Sequence, residues 1–287
     1  DLNKDGRPDI VVSLQEGTVA VALTGADGEP GPLRRFVSGP GCNAVLAVDL
    51  NDDSRPDLVT SSNGDNSLRV LLGQGDGSFA QAIRYDMGVA PAGLATADLD
   101  GDGKLDVLTG APTLHGVRVL PGRGDGTLGT AKLILAGSSP VEVRVADLNR
   151  DGKPDLVAAH SNDKSRALSV ILARDTGVYA PPTQALSDEP DAMRVVDLNG
   201  DGNEDLVIVG SKLQVLRGHG DGSFAPATVY GPVGATDLLI EDANQDRKPD
   251  VAVATYKGLM LFLNDGTGRL TGPTTISGTP NIYSLAG

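Results

Sequence analysis

One segment recurs six times along this chain, and its spacing limits the possible folds more than any other feature. DLNKDGRPDIV starts at Asp1 and returns as DLNDDSRPDLV from Asp49, DLDGDGKLDVL from Asp98, DLNRDGKPDLV from Asp147, DLNGDGNEDLV from Asp197 and DANQDRKPDVA from Asp242. The starts lie 48, 49, 49, 50 and 45 residues apart, and the last unit holds 46 residues. A period of this size marks a supersecondary unit that cannot bury its hydrophobic face alone, so neighbouring units must stack. Each unit has room for about four short strands, as in a β-propeller blade, whereas a helical repeat would space its apolar residues by three and four. The segments before the loops, APAGLATAD, SPVEVRVAD and EPDAMRVVD, are similar to the last one, TPNIYSLAG, so Gly287 joined to Asp1 would continue the pattern.

In the second unit the strands are predicted at VLAVD (45 to 49), DLVTSS (57 to 62), SLRVLLG (67 to 73) and SFAQAIRY (78 to 85). Between the third and fourth lies a glycine-rich turn, GQGDGSF, which returns as GRGDGTL and GHGDGSF and, degraded, as ARDTGVY and NDGTGRL. Glycine there supplies the positive φ of a tight hairpin. The expected architecture is one all-β domain over 1–287, a six-bladed β-propeller with four-stranded blades. Asn281 to Gly287 is expected to complete the first blade, closing the ring and leaving no open edge. A seven-bladed ring lacking one blade is the competing arrangement, but six loops use the whole length.

Glycine (38) and proline (18) fit many tight turns between short strands, and with aromatics at 3% and no Trp the core must be aliphatic. A net charge of −14 argues against nucleic acid, which needs clustered Lys and Arg. There is no apolar run long enough to span a bilayer and no basic-then-apolar leader; a start at Asp without Met looks like a domain excised from a larger chain. A single cysteine, Cys42, permits no internal disulfide and reads as a small buried hydrophobe.

The chemistry lies in the loops, where positions 1, 3, 5 and 9 are Asp or Asn in all six. Calcium takes six to eight oxygens, and loops of this kind combine side chains at alternate positions with the backbone carbonyl of position 7. The candidate metal ligands are Asp1, Asn3, Asp5, Arg7 and Asp9; Asp49, Asn51, Asp53, Arg55 and Asp57; Asp98, Asp100, Asp102, Lys104 and Asp106. In the later units they are Asp147, Asn149, Asp151, Lys153 and Asp155; Asp197, Asn199, Asp201, Asn203 and Asp205; Asp242, Asn244, Asp246, Lys248 and Asp250. The basic residues and Asn203 enter only through their carbonyls. The EF-hand Glu at position 12 is missing, and a strand follows instead of a helix. Glycine at position 6 makes the bend in four loops; Ser54 and Arg247 replace it, which predicts poorer geometry there. Positions 1, 3, 5 and 9 of these loops hold 19 of the 38 acidic residues, and six divalent ions would bring −14 to −2. Asp, Asn and Gly also favour ordinary turns, but turn chemistry does not require the same four oxygen positions six times. Mg²⁺ is the poorer candidate, because it demands octahedral geometry and keeps its waters.

Taken together, DLNxDGxPDLV followed by GxGDGxF resembles the FG-GAP, or VCBS, repeat family, which includes the propeller of integrin alpha subunits; the resemblance covers essentially the whole chain. It implies a propeller whose loops between first and second strands bind calcium, up to six ions here, on one face. It also implies an extracellular or cell-surface ligand-binding protein, often a module of a larger chain. Integrin propellers have seven blades and calcium in only some loops, so the ligand does not carry over.

The loops at the other end of the strands vary: SSNGDNS (61 to 67), YDMGVAP (85 to 91), PTLHG (112 to 116), HSNDKSR (160 to 166), LSDEP (186 to 190) and TYKG (255 to 258). Variable loops on a rigid scaffold predict a protein or glycan site, with Asn63, His115, His160 and Tyr256 as candidates. Nothing points to an enzyme: no GxSxG, HExxH or Cys-His pair is present, and His115, His160 and His219 read as surface or turn residues. Asp pairs that might imitate a glycosidase are better explained as calcium ligands. Arg123-Gly124-Asp125 spells an adhesion tripeptide but occupies the glycine-rich turn. The expected function is therefore a non-catalytic, calcium-binding adhesion or scaffold module. The alternative is a lectin-like or accessory domain of a polysaccharide-active enzyme; against it, the five tyrosines at unequal positions form no repeated stacking platform.

Overall fold

The computed structural model describes residues 1–160, 168–175, 177–185, 190–256 and 258–276. Among them the chain is all-β, its one helical element a 3-10 turn at Pro112–Leu114. Six antiparallel sheets follow one another along the sequence. The first holds Ile10–Leu14, Thr18–Ala22 and Arg34–Val37, and the second Cys42–Val48, Asp57–Ser62, Ser67–Leu71 and Ile83–Asp86. The third holds Ala92–Ala97, Asp106–Ala111, Gly116–Leu120 and Lys132–Leu135, and the fourth Pro140–Ala146, Asp155–His160, Leu168–Ile171 and Thr183–Ala185. The fifth holds Pro190–Val196, Asp205–Gly210, Lys212–Leu216 and Thr228–Pro232, and the sixth Ala235–Glu241, Asp250–Thr255, Gly258–Asn264 and Leu270–Ile276. A small hairpin, Ala173–Asp175 with Val178–Tyr179, takes the place of the glycine-rich turn in the fourth unit.

Strands pair in chain order within each sheet. In each four-stranded sheet, then, the Asp-rich loop joins first to second strand and the turn joins third to fourth, and both leave the sheet at the same end. The strand expected from Asn281 to Gly287 lies outside the described residues, as do most of HSNDKSR and LSDEP and residue 257 of TYKG.

The chain divides into two compact units, Asp1–Leu135 with Ser139–Val143 and Ala136–Ser138 with Arg144–Gly287. In the first, the core lies between successive sheets: Val19 and Val21 pack with Leu58, Leu71 and Phe79, and Leu68 and Val70 with Val107, Leu120 and Leu128. In the second, Leu168 and Val170 pack with Leu206, Ile208 and Leu216, and Val207 and Val215 with Val251, Val253 and Phe262. Covering both faces of a sheet buries every residue of inner strands such as Asp57–Ser62. This is why they read as apolar runs rather than alternations.

The second glycine of GDG serves this stacking. Gly77, Gly126 and Gly222 have φ of +74°, +78° and +81°, and a Cβ on each would fall 2.6, 2.4 and 2.6 Å from Leu23, Leu72 and Leu172 of the preceding sheet. Glycine suits both the turn and that approach, whereas a Cβ would be strained by the φ and would push the leucine methyls aside.

The outer strands are shorter than the sequence predicts. Gly73 pairs with Phe79, but three residues back Val70 pairs with Ile83, four residues on. The extra residue is a β-bulge, and it recurs between the pairs Thr24–Pro30 and Val21–Arg34, Gly122–Leu128 and Val119–Lys132, and Gly218–Phe224 and Val215–Thr228.

A buried arginine fixes the link between the first two sheets. The Ser38 carbonyl accepts from Ser62 Oγ at 2.7 Å, Arg69 Nη1 at 3.2 Å and Thr60 Oγ1 at 3.3 Å, while Arg69 Nη2 donates to Asp65 at 2.6 Å. Hydrogen bonds from Arg69 hold the Asp65 carboxyl at about 2, below its ordinary 3.8. We expect Arg69→Met to cost about 2 to 3 kcal/mol in urea unfolding, since it removes charge-assisted bonds from buried acceptors. Because the folded pKa of Asp65 is depressed, its contribution is full above pH 3.8 and lost as pH falls through about 2. The variant should therefore show a smaller loss of stability over that acid window than the parent chain.

Candidate metal centre

Each Asp-rich loop is one backbone shape built from its own side chains. The position 1 carboxylate accepts the N–H of position 5 through Oδ1 at 2.9 to 3.3 Å and that of position 6 through Oδ2 at 2.6 to 2.8 Å, in all six loops. Position 5 in turn accepts the N–H of position 7 at 2.7 to 3.0 Å. Two left-handed residues shape the bend. At position 6, Ser54 and Arg247 take φ of +63° and +65° and make the same bond to position 1 as the glycines do, so the expected loss of geometry is not seen. Position 4 is also left-handed, at Lys4, Asp52, Arg150 and Gln245 as well as at Gly101 and Gly200, which the sequence reading missed.

Position 9 is different. Asp57, Asp106, Asp155, Asp205 and Asp250 are at most 2% exposed, and Asp9 is half-buried. In every unit one oxygen accepts the N–H of position 2 (Leu2, Leu50, Leu99, Leu148, Leu198 or Ala243) and the other accepts an N–H just after the next-to-last strand of the sheet or at its end (Thr24, Gly73, Gly122, Ala173, Gly218 or Asn264), at 2.6 to 3.3 Å. This carboxylate staples the loop to the connection that follows that strand. Burial raises the pKa of Asp57, Asp106, Asp155 and Asp205 against the lowering effect of these bonds.

Positions 1, 3 and 5 are exposed or half-buried, unlike position 9 of the last five units. Asp98, Asp100 and Asp102 each bring one carboxylate oxygen within 4.8 Å of the others. Oxygens about 2.3 to 2.6 Å from a common Ca²⁺ are at most about 5 Å apart, so this donor set fits one hard cation. The other loops place Asn at position 3, whose amide oxygen keeps the donor type hard. At position 7 the side chain does something the sequence reading did not foresee: Lys104, Lys153, Lys248 and Arg55 lie 3.1, 3.4, 3.3 and 3.5 Å from the position 5 carboxylate, and Arg7 pairs with Asp5 likewise. The bond from Lys104 lowers the pKa of Asp102. These basic side chains thus offset part of the repulsion between neighbouring carboxylates.

At the other end of the sheets, Asn63, His115 and Tyr256 are exposed. His160 is not a surface residue: it ends the second strand of its sheet, 1% exposed, with Nε2 2.8 Å from Ser169 Oγ. His219 is an exposed turn residue, and Arg123-Gly124-Asp125 is the turn expected, with Asp125 Oδ1 accepting from Thr127 N and Oγ1. The same bonds join Asp76 to Ser78 and Asp221 to Ser223.

The profile of FG-GAP-like repeats matches residues 1–60 and 49–109. The first three Asp-rich loops fall within that match, and the loops from Asp147, Asp197 and Asp242 repeat their spacing. No curated protein sequence matches the chain. Among solved structures, an Agrocybe aegerita lectin described as recognising non-reducing terminal N-acetylglucosamine is 20% identical, with a TM-score of 0.70 over all of this chain and 80% of that one. BBS1N, solved in complex with ARL6DN, is 12% identical with a TM-score of 0.68 over 99% of this chain and 82% of that one. The V. cholerae biofilm matrix protein Bap1 is 18% identical with a TM-score of 0.51, over 94% of this chain and 44% of that one. At these identities the likeness is one of fold.

Proposed function

We propose that the six sheets are the blades of one β-propeller that carries calcium in its Asp-rich loops and acts as a non-catalytic binding module outside the cell or at its surface. The observation that carries this reading is the sixfold loop, with the same backbone bonds in each copy and oxygens of the type calcium prefers. Positions 1, 3 and 5 would hold the ion with the carbonyl of position 7, while position 9 anchors the loop. The cation would supply positive charge between carboxylates that otherwise repel. Up to six ions are expected, one per loop.

A protein or glycan ligand is assigned to the end of the sheets opposite the loops, where the connections vary in length and sequence. Glycan binding has one specific support, the whole-chain fold likeness to a lectin. A glycan array and a pull-down, each run with calcium and with EDTA, separate the two ligand classes. Alanine at Asn63, His115 and Tyr256 is expected to reduce binding at least tenfold without changing the melting temperature, because these side chains are exposed. Unchanged affinity in the triple variant would remove the site from this face.

A further inference from the structure

Three of the sheets place an aromatic ring at one register position of the last strand: Phe36 opposite Val19, Tyr85 opposite Leu68 and Tyr230 opposite Leu213. Each ring reaches the residue that follows the glycine-rich turn of the next sheet. Phe36 meets Phe79 edge-on, with centroids 5.1 Å apart. The Tyr85 hydroxyl accepts the Leu128 N–H at 2.9 Å, and the Tyr230 hydroxyl accepts the Leu270 N–H at 3.2 Å. In the fourth sheet the residue at this position, opposite Leu168, is Ala185.

Between the fourth and fifth sheets lies a cavity of about 590 Å³. Val170, Leu172, Leu216 and Phe224 give it apolar walls, and the exposed Asp221 and Ser223 add polar ones. Phe224 stands where Phe79, Leu128 and Leu270 stand in their turns. Its neighbours His219 and Ala225 donate to Ser223 and Arg217, while the Phe224 N–H has no hydrogen-bond partner among the described residues. The size falls in the range of small-ligand pockets, roughly 300 to 1,000 Å³, and exceeds what a single ring occupies.

We propose that this cavity binds a phenol. The sister gaps show what the architecture accepts: a flat ring against aliphatic walls and, in two of them, a phenolic oxygen on the backbone N–H that Phe224 leaves open. The phenol is either a small phenolic molecule or the tyrosine side chain of a partner segment. The proposal stands independently of calcium, since among the described residues no position 1, 3 or 5 carboxylate lines the cavity.

The test uses the whole chain with p-cresol, toluene, N-acetyltyrosinamide and N-acetylglucosamine in ligand-observed NMR titrations. Saturable binding of p-cresol is expected, with toluene about threefold to tenfold weaker, the worth of one hydrogen bond. Ala185→Tyr, which restores the residue of the second and fifth sheets, should abolish p-cresol binding and raise the melting temperature. Thr183→Ile, which copies Ile83 of the second sheet, gives a second variant and should weaken binding. N-acetyltyrosinamide binding more tightly than p-cresol supports a tyrosine side chain as the source, and the reverse order supports a small molecule. The proposal is overturned if p-cresol does not saturate, if toluene binds as well, if N-acetylglucosamine alone binds, or if both variants bind p-cresol like the parent.

Discussion

Replacing Asp57 with alanine is expected to destabilise the chain by about 3 to 5 kcal/mol, because it strips the acceptor from two N–H groups, Leu50 at 3.0 Å and Gly73 at 2.7 Å, beside a fully buried carboxylate. Urea unfolding by circular dichroism measures it, and Asp205→Ala, with Leu198 and Gly218 as the stranded donors, should behave alike. Asparagine is not expected to rescue either site. Two donors converge on two oxygens, and an amide would turn its own NH₂ toward one of them. Position 3 faces no such pair, and there Asn stands in five of the six loops. A loss below about 1 kcal/mol in Asp57→Ala would mean that the loop holds its shape without this staple.

Calcium should have a still larger effect. A ligand that binds only the folded state at a hundred times its Kd adds about 2.7 kcal/mol per site, so two filled loops raise the melting temperature by roughly 10 to 20 °C for a domain of this size. With EDTA the loops keep the internal bonds described above and the Lys and Arg partners of position 5, but positions 1 and 5 still repel. Melting is therefore expected to begin at the loop ends and to come earlier as chelator replaces calcium at millimolar levels. Identical melting curves in the two conditions would leave the loops as turns and no more.

Much of this was legible in the sequence because the Asp-rich loop is itself a boundary marker. It ends the first strand and starts the second, so DLVTSS was placed residue for residue at Asp57–Ser62. The outer strands were misjudged because the bulge after Phe79 lies where Ala80, Gln81 and Ala82 give no period to read. Left-handed backbone at position 4 is hidden in the sequence because Lys4, Asp52, Arg150 and Gln245 share no chemistry; what they share is their place in the loop. The staple at position 9 is hidden because Asp stands in all six loops at positions 1 and 5 as well, so the sequence does not separate a buried anchor from a metal ligand. The polar string after His160 hides the end of its strand, which is why the sequence places it in a loop. The cavity could not be read at all, since it depends on how the fourth and fifth sheets pack in space.

The central claim is that the oxygens of positions 1, 3 and 5 hold calcium. Isothermal titration of calcium into the EDTA-stripped chain tests it most directly. Several sites, up to six, saturating by the low millimolar range, with loss of one site in Asp98→Ala, are the predicted result; a flat titration across that range would contradict it.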